Sequence, residues 1–250
     1  MASPTPSTEV PSATVARGSE QPAAQGKPSA SSLPHPTRRN LIWLTFQYLL
    51  RIVFTVWMRY RVRGLEHIPA AGGGLILVNH QSFLDPLLVG LPLSRPISFV
   101  ARDNLFHIPV IGWILRKTYV MPINREAAST ASIREAVGRI RHGFLVGIFP
   151  EGTRSDTAEV GPFKPGFLAL LRRSNRPVYP VGIAGGNDVM PRGPLRLRPR
   201  RICVVFGTPL ETDELERISA AGDAALIGEL RERVVRCAQE AADWKRELDG

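Results

Sequence analysis

The segment Asn79-His80-Gln81-Ser82-Phe83-Leu84-Asp85 places a histidine and an aspartate five residues apart. It follows directly on the apolar run Leu75–Asn79 (LILVN). With a proline at 86 to open a helix, Asp85 stands near an N-cap, and the two residues flank a strand-to-helix turn. Such turns carry side chains to the mouth of an α/β sheet, where ligands bind. A carboxylate folded back onto the imidazole would fix its tautomer. The other ring nitrogen is then free to act as a base, and the carboxylate stabilises the imidazolium that forms. The same spacing also describes a capping aspartate beside a core histidine.

A second cluster, Phe149-Pro150-Glu151-Gly152-Thr153-Arg154-Ser155, ends another apolar run. Arg154 offers a planar fork to a phosphate, and Gly152 lets backbone approach a ligand. The segment lacks the Gly-Lys-Ser/Thr of a P-loop, and a solvated surface turn would read the same way. Arg102 and Arg125 each follow a strand-like run, which makes both candidate anion ligands. None of the five histidines shows ligand spacing such as H-E-x-x-H, so no metal is expected.

These residues need a scaffold of alternating elements. Leu75–Asn79, Ile97–Ala101, Tyr119–Ile123, Leu145–Phe149, Val178–Ile183 and Ile202–Phe206 read as strands. Helical patterns lie at about Pro86–Leu91, Ile108–Leu115, Ser129–His142 and Phe167–Arg173, with a long C-terminal helix through Leu226, Leu230, Val234 and Ala241. The alternation predicts an α/β layer structure whose near-continuous apolar strands are buried on both faces. Prolines at 177 and 180 suit a sheet edge or a bulge.

Read in order, NHQSFLD, the block Leu105-Phe106-His107-Ile108-Pro109-Val110-Ile111-Gly112 running on to Arg125, FPEGTRS, and the strand around Pro177–Ile183 resemble the glycerolipid acyltransferases, the lysophosphatidic acid acyltransferase family. The resemblance covers about Gly64 to Pro209. It implies the fold of that family, an α/β fold with a mixed sheet flanked by helices, and transfer of a fatty acyl group from acyl-CoA or acyl carrier protein to the sn-2 hydroxyl of 1-acyl-sn-glycerol 3-phosphate. The product would be phosphatidic acid, in phospholipid biosynthesis. Position by position it makes His80 the base and Asp85 its orienter, and it assigns Arg102, Arg125, Glu151, Gly152, Thr153 and Arg154 to substrate binding. Lys is common in the family where Arg102 stands. Other acceptors, glycerol 3-phosphate or another lysolipid, fit the same motifs. No G-x-S-x-G elbow is present, so the acceptor's own hydroxyl is expected to attack, with oxyanion donors near Gly152 and no cofactor.

The chain of 250 residues carries 32 Lys plus Arg against 22 Asp plus Glu, a formal charge of +10 that favours anionic partners. Without a recognised binding motif, nucleic acid is not expected among them. Two cysteines, Cys203 and Cys237, are too few for a disulfide framework, and a reducing compartment fits. Residues 1–37 are rich in Ser, Thr, Pro and Ala without one aromatic, and read as a disordered tail. An organelle transit peptide is the other reading, against which Glu9 and Glu20 speak. Leu41–Met58 is helical, with Gln47, Arg51 and Thr55 along one line and Trp43, Phe46, Leu50, Phe54 and Trp57 on an apolar face, between flanking arginines. It is expected to lie in a membrane interface, with its aromatics in the acyl boundary, on the cytoplasmic face. Residues 38–63 thus form a membrane-associating helix, and 64–250 the acyltransferase domain. Arg192, Arg196, Arg198, Arg200 and Arg201 form a basic stretch suited to anionic lipid or an acidic carrier protein.

Overall fold

The computed structural model describes residues 34–123, 130–155, 157, 159–191 and 197–250. The expected tail lies outside the described residues except for its last four. Within those four, Pro36 is buried, with its ring against Gly143.

Seven strands form one sheet: β1 (Arg61–Arg63), β2 (Gly74–Val78), β3 (Ile97–Arg102), β4 (Met121–Ile123), β5 (Leu145–Ile148), β6 (Val178–Ala184) and β7 (Cys203–Phe206). Their order is β1-β7-β6-β2-β5-β3-β4. Neighbours run parallel except at β6–β7, so the sheet is mixed, as expected. The eight helices among the described residues are α1 (Leu41–Trp57), α2 (Asp85–Gly90), α3 (Pro109–Lys117), α4 (Thr130–Arg141), α5 (Leu168–Ser174), α6 (Gly186–Val189), α7 (Thr212–Ser219) and α8 (Asp223–Asp249).

Alternation along the central strands builds two cores. Ile76 and Val78 face α1 and α2 through Phe54, Met58, Leu88 and Val89. Leu75 and Leu77 face α4, α5, α7 and α8 through Ile140, Leu171, Leu215 and Leu230. At Gly182 the backbone of α8 lies directly on β6, where any side chain would overlap Cys237 and Ala238.

Of the two settings expected for the prolines of β6, an edge or a bulge, the structure shows the second: β6 is a central, wholly buried strand. Pairing shifts register beside it: Val181 pairs Phe206, yet Val178 pairs Leu210, so the chain after β7 spends an extra residue there. The proline therefore sits opposite a bulge, where the ladder is already interrupted. Its carbonyl still accepts from the Gly207 N–H at 2.9 Å.

One expectation needs correction: α1 presents mainly the other face outward, although Trp57 of the expected face is exposed as well. Trp43 and Phe54 are buried in the protein, and Gln47, expected on the polar line, donates to the carbonyls of Leu91 at 2.9 Å and Leu93 at 2.7 Å. The exposed face carries Leu41, Tyr48, Leu49, Ile52 and Val56. Apolar residues surround this helix almost completely, so periodicity alone could not say which side met the core.

The helix and β1 pack with the rest of the fold. Phe54 and Met58 share the core with β2, and β1 extends the sheet beside β7.

The two faces of α1 should respond differently to truncation. Phe54→Ala is expected to cost about 3–5 kcal/mol in urea unfolding without lipid. Ile52→Ser should stay within about 0.5 kcal/mol of the parent.

Candidate active site

β2 and β5 are neighbours, running parallel with Leu77 opposite Ile148. Their carboxyl ends therefore deliver the two motifs side by side. Asn79 fixes the exit of β2: its amide nitrogen donates to the Ile183 carbonyl at 3.0 Å, and its oxygen accepts from the Ile183 N–H at 2.8 Å. The side chain continues the ladder to β6 one step past the strand.

The backbone of His80 is then held on both sides by the second motif. Its N–H donates to Glu151 Oε1 at 2.8 Å, and its carbonyl accepts from the Ser155 N–H at 2.7 Å. Its ring lies on Phe149, with centroids 4.0 Å apart and planes 18° from parallel. Nδ1 donates to Asp85 Oδ2 at 2.9 Å. The same oxygen accepts from the N–H groups of Gln81 at 2.6 Å and Ser82 at 2.7 Å. Asp85 thus caps the turn behind it rather than its own helix. The His80 side chain is 19% exposed and that of Asp85 fully buried, so the imidazole stands between solvent and carboxylate with Nε2 as its remaining nitrogen.

Burial pushes the Asp85 carboxyl above the usual carboxylate range, while the His80 bond and the two amides pull it back. Its other oxygen, Oδ1, has no partner among the described residues and lies beside Gly186, where a Cβ would come within 3.1 Å. The Gly186 N–H donates to Gln81 Oε1 at 3.1 Å, which ties α6 to the same turn.

Glu151 is 5% exposed. Its second oxygen accepts from the Gly161 N–H at 2.9 Å, so both carboxylate oxygens hold backbone. Burial raises this carboxyl also, against the lowering by its two N–H partners. Its position is behind the histidine. The Gly152 N–H, expected near the oxyanion, is spent on the Phe149 carbonyl at 3.0 Å in a turn with φ of 71°. The ammonium of Lys164 lies against that turn, 3.0 Å from where a Gly152 Cβ would be. Thr153 is exposed. The Arg154 guanidinium stacks over the Phe83 ring at 3.8 Å, which joins the two motifs a second time.

The structure therefore brings His80, Asp85, Glu151, Gly152, Thr153 and Arg154 together. Arg102 closes β3 opposite Ile123, but its side chain, like the whole of Arg125, is outside the described residues. Sequence reasoning missed Phe149, Phe83, Asn79 and Ser155 as supports, although all four lie inside the motifs. Gly161 and Gly186 carried no signal, because only the fold brings them near. Among the described residues no group of three or more His, Cys, Asp or Glu could hold a metal. The arrangement can take a proton at Nε2 from a hydroxyl and hold the resulting imidazolium against Asp85. It can also meet an anion with Arg154.

A model of the acyltransferase family matches residues 59–184, just over half of the chain. A chloroplastic 1-acyl-sn-glycerol-3-phosphate acyltransferase of Brassica napus is 34% identical over 135 residues, 53% of this chain and 39% of that protein. One of Arabidopsis thaliana is 29% identical over 161 residues, 63% of this chain. The chain thus spans less than half the length of these plant relatives, 39% and 45%. A 1-acyl-sn-glycerol-3-phosphate acyltransferase of Bacillus subtilis is 27% identical over 190 residues, 74% of this chain and 91% of that protein. The crystal structure of the 1-acyl-sn-glycerophosphate acyltransferase PlsC from Thermotoga maritima superposes with a TM-score of 0.67 at 27% identity, over 79% of this chain and 78% of that one. A histidine and aspartate joined across a strand end, on a sheet shared with that structure and inside the span of that family model, place this chain in the acyltransferase family.

Proposed function

We propose that the chain transfers a fatty acyl group from a thioester, acyl-CoA or acyl carrier protein, to the sn-2 hydroxyl of 1-acyl-sn-glycerol 3-phosphate, forming phosphatidic acid in phospholipid biosynthesis. The observation that carries this reading is the His80–Asp85 bond of 2.9 Å, with Nε2 on the open side and Arg154 on the adjoining turn. The names of the plant and Bacillus relatives support the choice of acceptor.

In this reading Nε2 takes the proton of the acceptor hydroxyl as its oxygen adds to the thioester carbonyl. Asp85 stabilises the imidazolium across Nδ1. The tetrahedral intermediate collapses, the C–S bond breaks, and the thiolate leaves and takes the proton back from His80. The ester carries the acyl group, and no bond to the protein forms. Arg154, held flat by Phe83, binds the acceptor phosphate together with Arg102 and Arg125, and Lys164 adds positive charge to the turn. Glu151 positions His80 by its backbone. Thr153 and Gly152 shape the same anion-binding turn.

The acceptor is a lipid, and we assign membrane attachment to the outer face of α1, where Leu41, Tyr48, Leu49, Ile52 and Val56 are exposed. Among the described residues no helix is long and apolar enough to cross a membrane. The helix then lies in the plane of the interface on a cytoplasmic face, its exposed arginines at headgroup level.

His80→Ala should lower kcat about 10²–10⁴-fold while the urea midpoint stays near that of the parent. Asp85→Asn should also lose most activity, because the amide favours the wrong tautomer. Parent-like turnover in a folded His80→Ala chain would end the mechanism.

Arg154→Ala should raise KM for lysophosphatidic acid at least tenfold and leave KM for the acyl donor within about twofold. Phe83→Leu should give a smaller shift in the same direction, since it removes the stacking partner and keeps the charge.

Replacing Tyr48, Ile52 and Val56 together by Ser should release the chain from sedimenting vesicles. Raising salt on the parent should only weaken attachment, because apolar burial survives screening. Retention of the triple variant on vesicles would place the contact elsewhere.

A further inference from the structure

A groove of about 610 Å³ opens on the same rim of the sheet as His80. Its position follows from the strand register. His80 lies two residues past Val78, which pairs Val181, and Cys203 at the start of β7 pairs Ala184, three residues past Val181. Arg61 at the start of β1 pairs Cys203 in turn. The residues just before β1 and β7 therefore stand level with His80. One wall of the groove is Asp188 of α6, the short helix whose Gly186 touches Gln81 and Asp85.

The groove carries more charge than it neutralises. Arg201 is bonded to Asp249 at 2.7 Å, and Lys245 faces Asp188 at 3.1 Å, so these four cancel. Arg59, Arg198 and Arg200 also line it, are exposed, and have no side-chain partner among the described residues. Arg59 is one of three non-glycine residues among the described ones with positive φ, at 46°. That backbone terminates α1, with the Tyr60 N–H donating to the Phe54 carbonyl at 3.0 Å, and so fixes where the Arg59 side chain leaves the helix end. Three guanidiniums around a cleft of ligand size describe a site for a group with several phosphates.

We infer that this groove binds the nucleotide phosphates of a coenzyme A thioester, and so that the acyl donor is acyl-CoA; this rests on the acyl-transfer reading above. The geometry matches the donor. From β2 to β1 there are three strand spacings, about 14 Å at about 4.8 Å each. The arm from the thioester sulfur to the first phosphorus of coenzyme A has about thirteen bonds and reaches about 15 Å when extended. With phosphates among Arg59, Arg198 and Arg200, the thioester arrives at Nε2 of His80. The arm passes over α6 and leaves the Arg154 side of the histidine to the acceptor.

The test is calorimetric titration of free coenzyme A into the full chain and into the Arg59→Gln, Arg198→Gln, Arg200→Gln triple variant, with kinetics in parallel. Coenzyme A should bind the parent, and the triple variant at least tenfold more weakly. KM for acyl-CoA should rise by a similar factor. KM for an acyl N-acetylcysteamine thioester, which has no phosphate, and KM for lysophosphatidic acid should stay within twofold. Lysine at the same three positions should restore part of the binding. Should the triple variant unfold, the Arg198→Gln, Arg200→Gln pair, on one exposed loop, serves in its place. An equal loss with the phosphate-free thioester would assign the arginines to the fold and overturn the inference. Unchanged coenzyme A binding would also overturn it. In that case loss of binding to anionic vesicles would mark a lipid-headgroup site, and a raised KM for acyl carrier protein alone would mark a carrier-protein site. Binding of free coenzyme A is read without any transfer, so absence of acyl transfer by the parent would count against the function and leave this result standing.

Discussion

The site depends on one buried carboxylate. Glu151 leaves the end of β5 and takes its two hydrogen bonds from the backbone N–H groups of His80 and Gly161. One side chain thereby fixes the turn after β2 to the turn after β5 and to the loop that follows it. The arrangement is possible because the two strands are parallel neighbours, so their carboxyl ends lie at one level. Glycine at 161 leaves room for it, since a Cβ there would sit 2.9 Å from Glu151 Oε2 and push the carboxylate aside. A buried charge costs stability unless it is answered by donors, and here both oxygens are answered. Once the backbone of His80 is held, its ring has only to choose a rotamer. Phe149 below it and Asp85 at Nδ1 make that choice.

The chemistry is therefore organised in two layers. Asp85 and Phe149 touch the imidazole itself and set its tautomer and plane. Glu151, Ser155 and Asn79 act on the backbone around it, and Gln81 links the turn to α6. Arg154 is stacked on an aromatic ring from the histidine motif. The base and the anion-binding group thus share a frame, and a shift in either turn moves both. Such coupling fits a reaction that gains mainly from holding two substrates in line.

Much of this was legible before any coordinates. Six strands and the long helices stand where apolar runs and 3.6-residue periods put them, because burial on both faces leaves an unbroken apolar signature. The three-residue β1, Arg61–Arg63, was not, since it is charged at both ends and owes its conformation to β7. Nor was α7, whose Thr212–Ser219 stretch buries only Leu215. The outward face of α1 was misjudged because the helix is apolar nearly all round, and only the partner carbonyls of Leu91 and Leu93 show why Gln47 turns inward. His80 and Asp85 were readable because five residues of sequence bring them together. The Glu151 bond to His80 spans 71 residues, and the Asn79 bond to Ile183 spans 104, so strand order alone creates them.

The tautomer of His80 is the most direct measure of the account. In a chain labelled with ¹⁵N-histidine, the neutral His80 ring should carry its proton on Nδ1, with a strongly downfield N–H signal from the bond to Asp85 and an unprotonated Nε2. That signal should vanish in Asp85→Asn, with the proton moving to Nε2. A neutral His80 already protonated at Nε2 in the parent chain would leave no base facing the acceptor, and would contradict the mechanism.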